Sequence, residues 1–466
     1  MDHRTEPVSG PELLISLDQR SRRTLHEQLE SDLREHIRAG RLPLGSRLPS
    51  SRALASALGV SRGVVLEAYA QLGAEGYLVS SHGAPTRVAF VPEAERPPIL
   101  AAELDAPQRQ RFDPFLPDLA AFPREAWLRS MRAAIRRAAF AELGHGDPRG
   151  TVGLRNALMA YLGRVRSAAP EPEHTLVCAS FTQGFAVLCR TLRARALDRI
   201  ACEDPGWGQQ RLVAEQAGLE PVPLSVDEHG IDVATLERSG CEAVVVTAAH
   251  QFPTGVVLSA ERRAALLEWA DDMDGLVVED DYDSELRYDR GAVGALQGLA
   301  PERVCLIGSV SKRLAPGLRL GWILSPSWLT GALAYEKALA DSTAPALEQL
   351  ALADFIARGE LDRHVRRVRV RYRARREALL AALRDQMPEA RVGGVAAGLF
   401  APVELPPGVD EQALVTAAQA RDLSVEGLAS HRVGEAPAGL ILGYASLPEP
   451  AIARGVALLA EAMEDH

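Results

Sequence analysis

Apolar residues recur at every fourth position in an early part of the chain, with polar residues between them. The repeating positions are Leu25, Leu29, Leu33 and Ile37. This spacing places apolar side chains on one face of an amphipathic helix. Gly40 and Pro43 then break the pattern, so the helix is predicted to end before them.

Two shorter helical patterns follow, separated by a glycine-containing turn. Ser50 or Ser51 can cap the first helix, and Gly59 breaks it. Ser61 is expected to cap the second helix, which begins with Arg62. Two short helices joined in this way form the helix-turn-helix arrangement of DNA-binding proteins, in which the second helix enters the major groove.

From about residue 112 onward, short apolar runs alternate with helical patterns. This alternation is typical of an α/β architecture, a mostly parallel sheet flanked by helices. In such sheets the ligand lies at the carboxyl ends of the strands, so polar residues that follow the strands are expected to converge on one crevice. Five runs are followed directly by polar residues: Leu176–Cys178, Arg199–Cys202, Val244–Val246, Leu276–Val278 and Val304–Ile307.

Charge is distributed unevenly along the 466 residues. The net charge is −10, but residues 1–91 hold 11 arginines against 10 acidic residues, which leaves −11 for the remainder. An acidic body repels nucleic acid, so any DNA contact is expected to be local to the first part of the chain.

Cysteine usage and hydropathy predict the cellular compartment of the protein. The five cysteines are odd in number and never spaced as CxxC, which predicts buried thiols in a reducing environment and no metal site. No apolar run approaches the ~20 residues of a membrane span. We therefore expect a cytoplasmic protein without a membrane contact.

The helix-turn-helix segment resembles the winged-helix head of GntR-type regulators. The resemblance is carried by residues 48–62, LPSSRALASALGVSR, and by Ala68, Tyr69, Leu72, Glu75, Gly76 and Tyr77. It implies that Arg52, Ser61 and Arg62 contact promoter DNA and that Ser80–Val88 forms the wing. Pro85 departs from the family pattern, which usually has a second glycine there; a proline has no N–H for a phosphate contact.

Three regions follow from these patterns. Residues 12–90 are predicted to form the winged helix-turn-helix domain. Residues 91–111, within a stretch rich in proline, alanine and acidic residues, are predicted to form a linker. Residues 112–466 are predicted to form the α/β domain, with a small C-terminal α+β subdomain from about residue 345.

A lysine beyond the last of the five apolar runs stands in a distinctive setting. Residues Ser309–Leu318 read SVSKRLAPGL, and Arg319 follows. Lys312 is flanked by hydroxyls and followed seven positions later by an arginine, as expected of a covalent pyridoxal 5′-phosphate site. Its primary amine would form a Schiff base with the aldehyde.

The predicted α/β domain, residues 112–466 and called the body below, resembles the large domain of fold-type I, aspartate-aminotransferase-like enzymes. The whole chain is similar to the MocR family of regulators. The resemblance implies that Asp280, preferred to Asp281 on this ground alone, pairs with the pyridinium nitrogen. It implies that Tyr282 donates to the phenolic oxygen and that Trp207 covers the ring. The phosphate ligands would be Thr182, Gln183, Ser309, Ser311 and Arg319, with Gln183 at the opening of a helix.

Three positions depart from the aminotransferase pattern. Phe252 replaces the asparagine of the NPTG turn, and His145 stands where a tyrosine of the neighbouring subunit often reaches the phosphate. Ile441 replaces the arginine that usually grips the α-carboxylate of the substrate. Without that bidentate ion pair, the site lacks the strongest contact that it could make with an amino acid.

The sequence thus predicts a homodimeric, sequence-specific DNA-binding transcription regulator that binds pyridoxal 5′-phosphate and senses either that cofactor or an amino-acid-like effector. Two alternatives stay open: a pyridoxal-phosphate-dependent aminotransferase carrying a DNA-binding head, and a DNA-binding protein whose body binds no cofactor. The arginine-rich segment His364–Arg376 is predicted to be a solvated helix face, with nucleic-acid binding as the alternative.

Overall fold

The computed structural model describes residues 15, 17–18, 21, 23–80, 85–89, 110–288, 293–434 and 437–464. The chain divides into two units, Met1–Ala106 and Pro107–His466. Each unit has apolar cores of its own. In the described ranges, no helix is both long and apolar enough to cross a membrane.

The first unit contains three helices and a short hairpin: α1 Leu25–Arg38, α2 Ser51–Leu58, α3 Arg62–Ala74, β1 Leu78–Val79 and β2 Arg87–Val88. Leu29, Leu33 and Ile37 are fully buried, which confirms the amphipathic pattern of α1. Ser50 caps α2 by accepting a hydrogen bond of 3.2 Å from the Ala53 amide. Gly59 ends this helix in the left-handed conformation, with φ of 65°.

Ser61 requires a correction. It occupies the N-cap position of α3 with extended backbone, but its side chain accepts no capping hydrogen bond. Arg62, the first residue of α3, instead donates from Nε to Ser51 Oγ at 3.1 Å, and this bond ties the starts of α2 and α3 together. In the predicted wing, Ser80–Val88, residues 81–84, including Gly83, lie outside the described residues; β1 and β2 pair antiparallel, with Leu78 opposite Val88.

The second unit is built from alternating strands and helices. Its first part comprises β3 Gln110–Arg111, α4 Arg124–Arg137, α5 Val152–Arg166, β4 Thr175–Cys178, α6 Phe181–Ala194, β5 Arg199–Asp204, α7 Gly208–Gln216, β6 Glu220–Asp227, β7 Gly230–Ile231, α8 Val233–Ser239, β8 Ala243–Val246, α9 Ala260–Asp272, β9 Leu276–Asp281, β10 Val304–Ser309 and β11 Gly321–Leu324. The remainder comprises α10 Ser327–Asp341, α11 Ala346–Ala357, α12 Glu360–Gln386, β12 Arg391–Val392, β13 Phe400–Glu404, α13 Glu411–Ala420, β14 Leu423–Ser424, β15 Glu426–Gly427, β16 Gly439–Gly443 and α14 Glu449–Glu464.

The main sheet has the strand order β4-β11-β10-β9-β8-β5-β6-β7. Its centre, from β10 through β9, β8 and β5 to β6, is parallel, while β11 runs antiparallel to both neighbours. The mostly parallel sheet predicted from the apolar runs is therefore confirmed. Strands β9 and β10 each run past the apolar residues, so that Asp280, Asp281 and Ser309 belong to the strands themselves.

A smaller antiparallel sheet, ordered β12-β13-β16-β15, lies in the C-terminal part together with α12, α13 and α14. The linker prediction is wrong for its last two residues. Gln110 and Arg111 form β3, which pairs with β14 because Phe112 beside them is buried in the main core and fixes this segment.

Candidate functional site

All five predicted clusters meet in one cavity of about 200 Å³ at the carboxyl ends of the strands. This confirms their expected convergence. The cavity is lined by Pro114, Phe115, Ser180, Phe181, Thr182, Trp207, Thr247, Phe252, Asp280, Tyr282, Ser309, Ser311, Lys312, Pro316 and Arg319. Of the predicted cofactor residues, only Gln183 is not among them.

Lys312 lies in the turn that follows β10, with its amine in the cavity. Nζ donates a hydrogen bond of 2.5 Å to the backbone oxygen of Phe115 and lies 5.1 Å from the centre of that ring. Burial lowers the pKa of Lys312 from its ordinary value of 10.5 to about 8, although Asp113, Asp283 and Asp280 oppose the shift. A larger fraction of the amine is therefore neutral, which is the form that attacks a carbonyl.

Asp280 is an acidic group that lines the cavity and has no cationic partner among the described residues. Gln210 donates to its Oδ2 at 3.0 Å, but Oδ1 is buried and has no hydrogen-bond partner among the described residues. Burial and the neighbouring carboxylates Asp281 and Glu203 raise its pKa well above the ordinary value. A buried carboxylate oxygen without a partner is costly, and a cationic N–H from a ligand would satisfy it.

Asp281 is in a different situation from Asp280. It lies 3.0 Å from Arg313 Nη2 and 3.2 Å from Arg166 Nε, and all three side chains are fully buried. Burial alone would raise the pKa of Asp281, but the two guanidinium groups lower it below the ordinary value. Because side chains alternate along β9, Asp281 points toward the two arginines and Asp280 points into the cavity.

Aromatic side chains form one side of the cavity. Phe115 lies 5.1 Å from Phe252 and 6.1 Å from Trp207, centre to centre, in tilted arrangements. Phe252, Phe400 and Ile441 form a small buried cluster against which Phe115, Trp207 and Tyr282 pack. Ile441, which replaces the arginine of the aminotransferase pattern, is fully buried among apolar groups.

Hydroxyls and a guanidinium collect at another part of the cavity. Ser180 caps α6 by accepting a hydrogen bond of 3.2 Å from the Gln183 amide, and Thr182 lies in the first turn of the helix. Ser309 and Ser311 also line the cavity, together with Arg319. Arg319 is exposed and has no ion-pair or hydrogen-bond partner in the described part of the chain. Helix N–H groups, hydroxyls and a free guanidinium suit a phosphate dianion.

Gln183 is placed differently from the sequence prediction. Its side-chain oxygen accepts a hydrogen bond of 2.6 Å from the Ala179 amide, and Nε2 donates to Asp341 Oδ2 at 2.5 Å. Asp341 in turn pairs with the buried Lys337 at 2.8 Å. Because both ends of the Gln183 amide are engaged, its side chain braces the start of α6 and does not enter the cavity.

Sequence reasoning missed several cavity residues. Thr247 directly follows β8 and Ser180 lies two residues after the end of β4, so the rule that located the other polar residues applies to them. Phe115 had no such signal, because it follows the predicted linker and lies in no regular element. It reaches the cavity only because the segment around Phe112 is folded into the core.

In the first unit, Arg52, Ser61 and Arg62 are exposed at the starts of α2 and α3. The hydrogen bond between Arg62 and Ser51 brings these two starts together. The Ser61 hydroxyl makes no hydrogen bond with a described residue. Two arginines and a free hydroxyl are therefore available on one surface to contact phosphates or base edges.

Comparison with known proteins agrees with this geometry. Residues 122–428 match the family of class I and II aminotransferases, and residues 25–88 match the gntR family of bacterial regulatory proteins. Class I and II aminotransferases depend on pyridoxal 5′-phosphate, which confirms the predicted cofactor. The GntR match likewise confirms a DNA-binding head.

Two bacterial regulators are similar over nearly the full chain. The HTH-type pyridoxine biosynthesis transcriptional regulator PdxR of Corynebacterium glutamicum is 33% identical over 461 residues, 97% of this chain and 99% of the relative. The probable rhizopine catabolism regulatory protein MocR of Rhizobium meliloti is 31% identical over 466 residues, 95% of this chain and 94% of the relative.

Solved aminotransferases match the second unit. The multiple substrate aminotransferase of Thermococcus profundus superposes with a TM-score of 0.71 at 26% identity, over 78% of this chain and 93% of that one. LysN, an α-aminoadipate aminotransferase of Thermus thermophilus solved with a phosphopyridoxyl leucine, gives 0.68 at 25% identity, over 78% and 96%. With its GntR-type head, its aminotransferase-type body and regulators as full-length relatives, this chain belongs to the MocR-type family of transcription regulators.

Proposed function

We propose that this regulator senses pyridoxal 5′-phosphate itself, bound covalently at Lys312, and couples its occupancy to promoter binding. The observation that carries the proposal is one cavity that holds a partly buried amine, an unpartnered buried carboxylate oxygen on Asp280 and an unpaired guanidinium on Arg319. These three groups match the aldehyde, the ring nitrogen and the phosphate of the cofactor.

When bound, the cofactor would supply an aldehyde that reacts with a primary amine. Lys312 provides that amine in its neutral form. Asp280 holds the proton of the ring nitrogen, and Tyr282 donates to the phenolic oxygen. Trp207 covers the ring, while Thr182, Ser309, Ser311 and Arg319 bind the phosphate. We do not assign the phosphate to Gln183, because its amide is engaged elsewhere.

The effector is inferred from the apolar side chains that line the cavity. Among the described residues that line the cavity, Lys312 and Arg319 are the cations, and both are committed to the cofactor. The side toward Ile441 is built from Phe115, Phe252 and Trp207. A carboxylate placed there would lose its hydration without gaining a cation. This favours the cofactor over an amino acid such as GABA or taurine as the signal, and vitamin B6 genes as targets, in keeping with the PdxR relative.

We further propose that the regulator acts as a homodimer in the cytoplasm, on promoter DNA. Large apolar side chains are exposed near the end of α4 and the start of α5. Phe140 is 97% exposed, Ile135 60% and Val152 59%, which suits burial against a second copy. His145 is also exposed in this region. A dimer carries two helix-turn-helix domains, which suits paired DNA half-sites. Sedimentation of the full chain tests the dimer.

The central experiment selects a DNA site from a random library with the purified protein and then measures affinity for that site with and without pyridoxal 5′-phosphate. Borohydride reduction followed by mass spectrometry should place a pyridoxyl adduct on Lys312. We expect the cofactor to change the DNA affinity of the native protein and not of Lys312→Ala.

Two controls separate the alternatives. Arg62→Ala should lose DNA binding while retaining the adduct. A panel of amino acids, added to the cofactor-loaded protein, should leave DNA affinity unchanged; a response to one of them would overturn the choice of effector. Brisk multiple turnover of an amino acid with a keto acid would favour the aminotransferase alternative.

A further inference from the structure

A histidine and an aspartate lie behind the tyrosine of the cavity. His250 and Asp283 are buried, with 2% and 1% of their side chains exposed, and His250 Nδ1 lies 2.8 Å from Asp283 Oδ2. An ionised carboxylate only accepts hydrogen bonds, so the proton of the imidazole belongs on Nδ1. Asp283 thus selects the tautomer of His250.

The hydroxyl of Tyr282 is held by the same histidine twice. It donates to the backbone oxygen of His250 at 2.8 Å, and its oxygen lies 3.0 Å from His250 Nδ1. The N–H of the imidazole is therefore shared between Asp283 and the tyrosine oxygen. A hydroxyl that accepts a hydrogen bond becomes a stronger donor, because bonds in a chain polarise one another.

Packing leaves this group little freedom. The His250 ring stacks on Phe400 at 5.1 Å between centres and on Tyr282 at 6.1 Å. Gly398 lies against both His250 and Asp283. Its φ is 73°, and a Cβ at this position would lie 2.4 Å from both Asp283 Oδ2 and His250 Cε1. A glycine is required at that position so that the backbone can approach.

Tyr282 itself remains a donor in this environment. Burial raises its pKa well above the ordinary value, and the carboxylates of Asp283, Asp280 and Glu203 add to the effect. The hydroxyl therefore keeps its hydrogen. That hydrogen can turn from the His250 carbonyl to a more strongly accepting phenolate oxygen in the cavity.

We propose that His250 and Asp283 are positioning residues that set the donor strength and direction of the Tyr282 hydroxyl, and through it the proton affinity of the imine at Lys312. This inference rests on the proposed function. A hydrogen bond to the phenolate oxygen withdraws negative charge from it and so weakens its hold on the imine proton. Loss of His250 therefore makes the imine retain its proton to higher pH.

The test follows the absorbance of the cofactor-loaded protein as a function of pH, which reports the imine pKa without any turnover. His250→Leu should raise that pKa by about one unit. His250→Asn, whose amide can replace the N–H, should restore part of the shift. Asp283→Asn, a nearly isosteric change, serves if His250→Leu does not fold. It also removes a carboxylate that raises the pKa of Lys312, so its effect is compared in the presence and absence of the Tyr282 hydroxyl. The part that acts through the tyrosine should appear as a higher imine pKa only when the hydroxyl is present. His174→Asn, at the opposite end of β4, is the control and should leave the imine pKa unchanged.

A double-mutant cycle distinguishes this role from a structural one. Tyr282→Phe should raise the imine pKa at least as much, and His250→Leu should add nothing in that background. An equal effect of His250→Leu, or of Asp283→Asn, with and without the Tyr282 hydroxyl would overturn the inference, as would an unchanged imine pKa in His250→Leu. Absence of any reduced adduct on Lys312 in the native protein would instead sink the proposed function.

Discussion

Lys312 donates a hydrogen bond to the backbone oxygen of Phe115, a residue 197 positions earlier in the chain, at 2.5 Å. The contact joins the turn after β10 to a segment that follows the predicted linker. It holds the amine over an aromatic face in a site where burial lowers its pKa. The reactivity of this lysine is therefore a property of the folded body.

The shifted pKa of Lys312 predicts how cofactor uptake depends on pH. A fall from 10.5 to about 8 raises the neutral fraction of the amine at pH 7 about 300-fold. The rate at which the cofactor-free protein takes up pyridoxal 5′-phosphate should rise with pH and level off above about 8. Stopped-flow absorbance measures it, with Lys312→Arg as the control. A rate that is flat from about pH 6 to about pH 9 would contradict this assignment.

Asp280→Asn should affect the free and the loaded protein in opposite directions. An acid whose pKa is raised by folding binds its proton more tightly in the native state, so stability falls as pH rises from its unfolded toward its folded pKa. Asparagine does not ionise, so Asp280→Asn removes this loss of stability and should stabilise the cofactor-free protein at neutral pH. It also removes the partner of the ring nitrogen and should weaken cofactor binding by about 3 kcal/mol. Thermal unfolding with and without cofactor shows both effects; equal stabilisation by cofactor in the two proteins would refute the pairing.

Alanine substitutions at Ser50 and Ser61 should have different effects, the first on the stability of the head and the second on its DNA affinity. Ser50→Ala removes the hydrogen bond that caps α2 and should cost the head about 1 kcal/mol. Ser61→Ala removes no capping bond, so its cost to stability should be smaller, while DNA affinity should fall. Hydrogen exchange of the α2 and α3 amides, together with DNA titrations, checks the pair. Faster exchange in α3 caused by Ser61→Ala would show that the hydroxyl does cap that helix.

Two helical glycines provide a matched test of packing near the site. A Cβ at Gly184 in α6 would lie 3.1 Å from Cys178 Sγ and 3.2 Å from Ile307 Cγ2, so Gly184→Ala should destabilise the body by about 1–3 kcal/mol. Gly331 in α10 is exposed and has nothing within 4 Å of such a Cβ. Gly331→Ala should therefore be neutral or stabilising by up to about 1 kcal/mol. Denaturant unfolding of the body compares them, and equal effects would show that α6 has room to shift.

The amino-acid sequence by itself determined the local elements and the side of the sheet on which the site lies. The four-residue spacing of Leu29, Leu33 and Ile37 specified α1, because helical geometry is local. Apolar runs followed by polar residues located the carboxyl ends of β4, β5, β8, β9 and β10, because strands buried on both faces must be continuously apolar. Lys312, Tyr282 and the acidic pair Asp280 and Asp281 were located in this way. The spacing from Lys312 indicated Arg319, and the resemblance alone chose Asp280 and assigned the expected roles.

Only the tertiary structure decided which side chains are engaged elsewhere. Gln183 and Asp281 carry suitable polar groups, but Asp341 and Arg313, distant in sequence, take them away from the cavity. Phe115 enters the cavity and His250 reaches Tyr282 and Asp283 for the same reason. The pairing of polar groups and the burial that shifts a pKa depend on atoms brought together by the fold, and no local pattern records those neighbours.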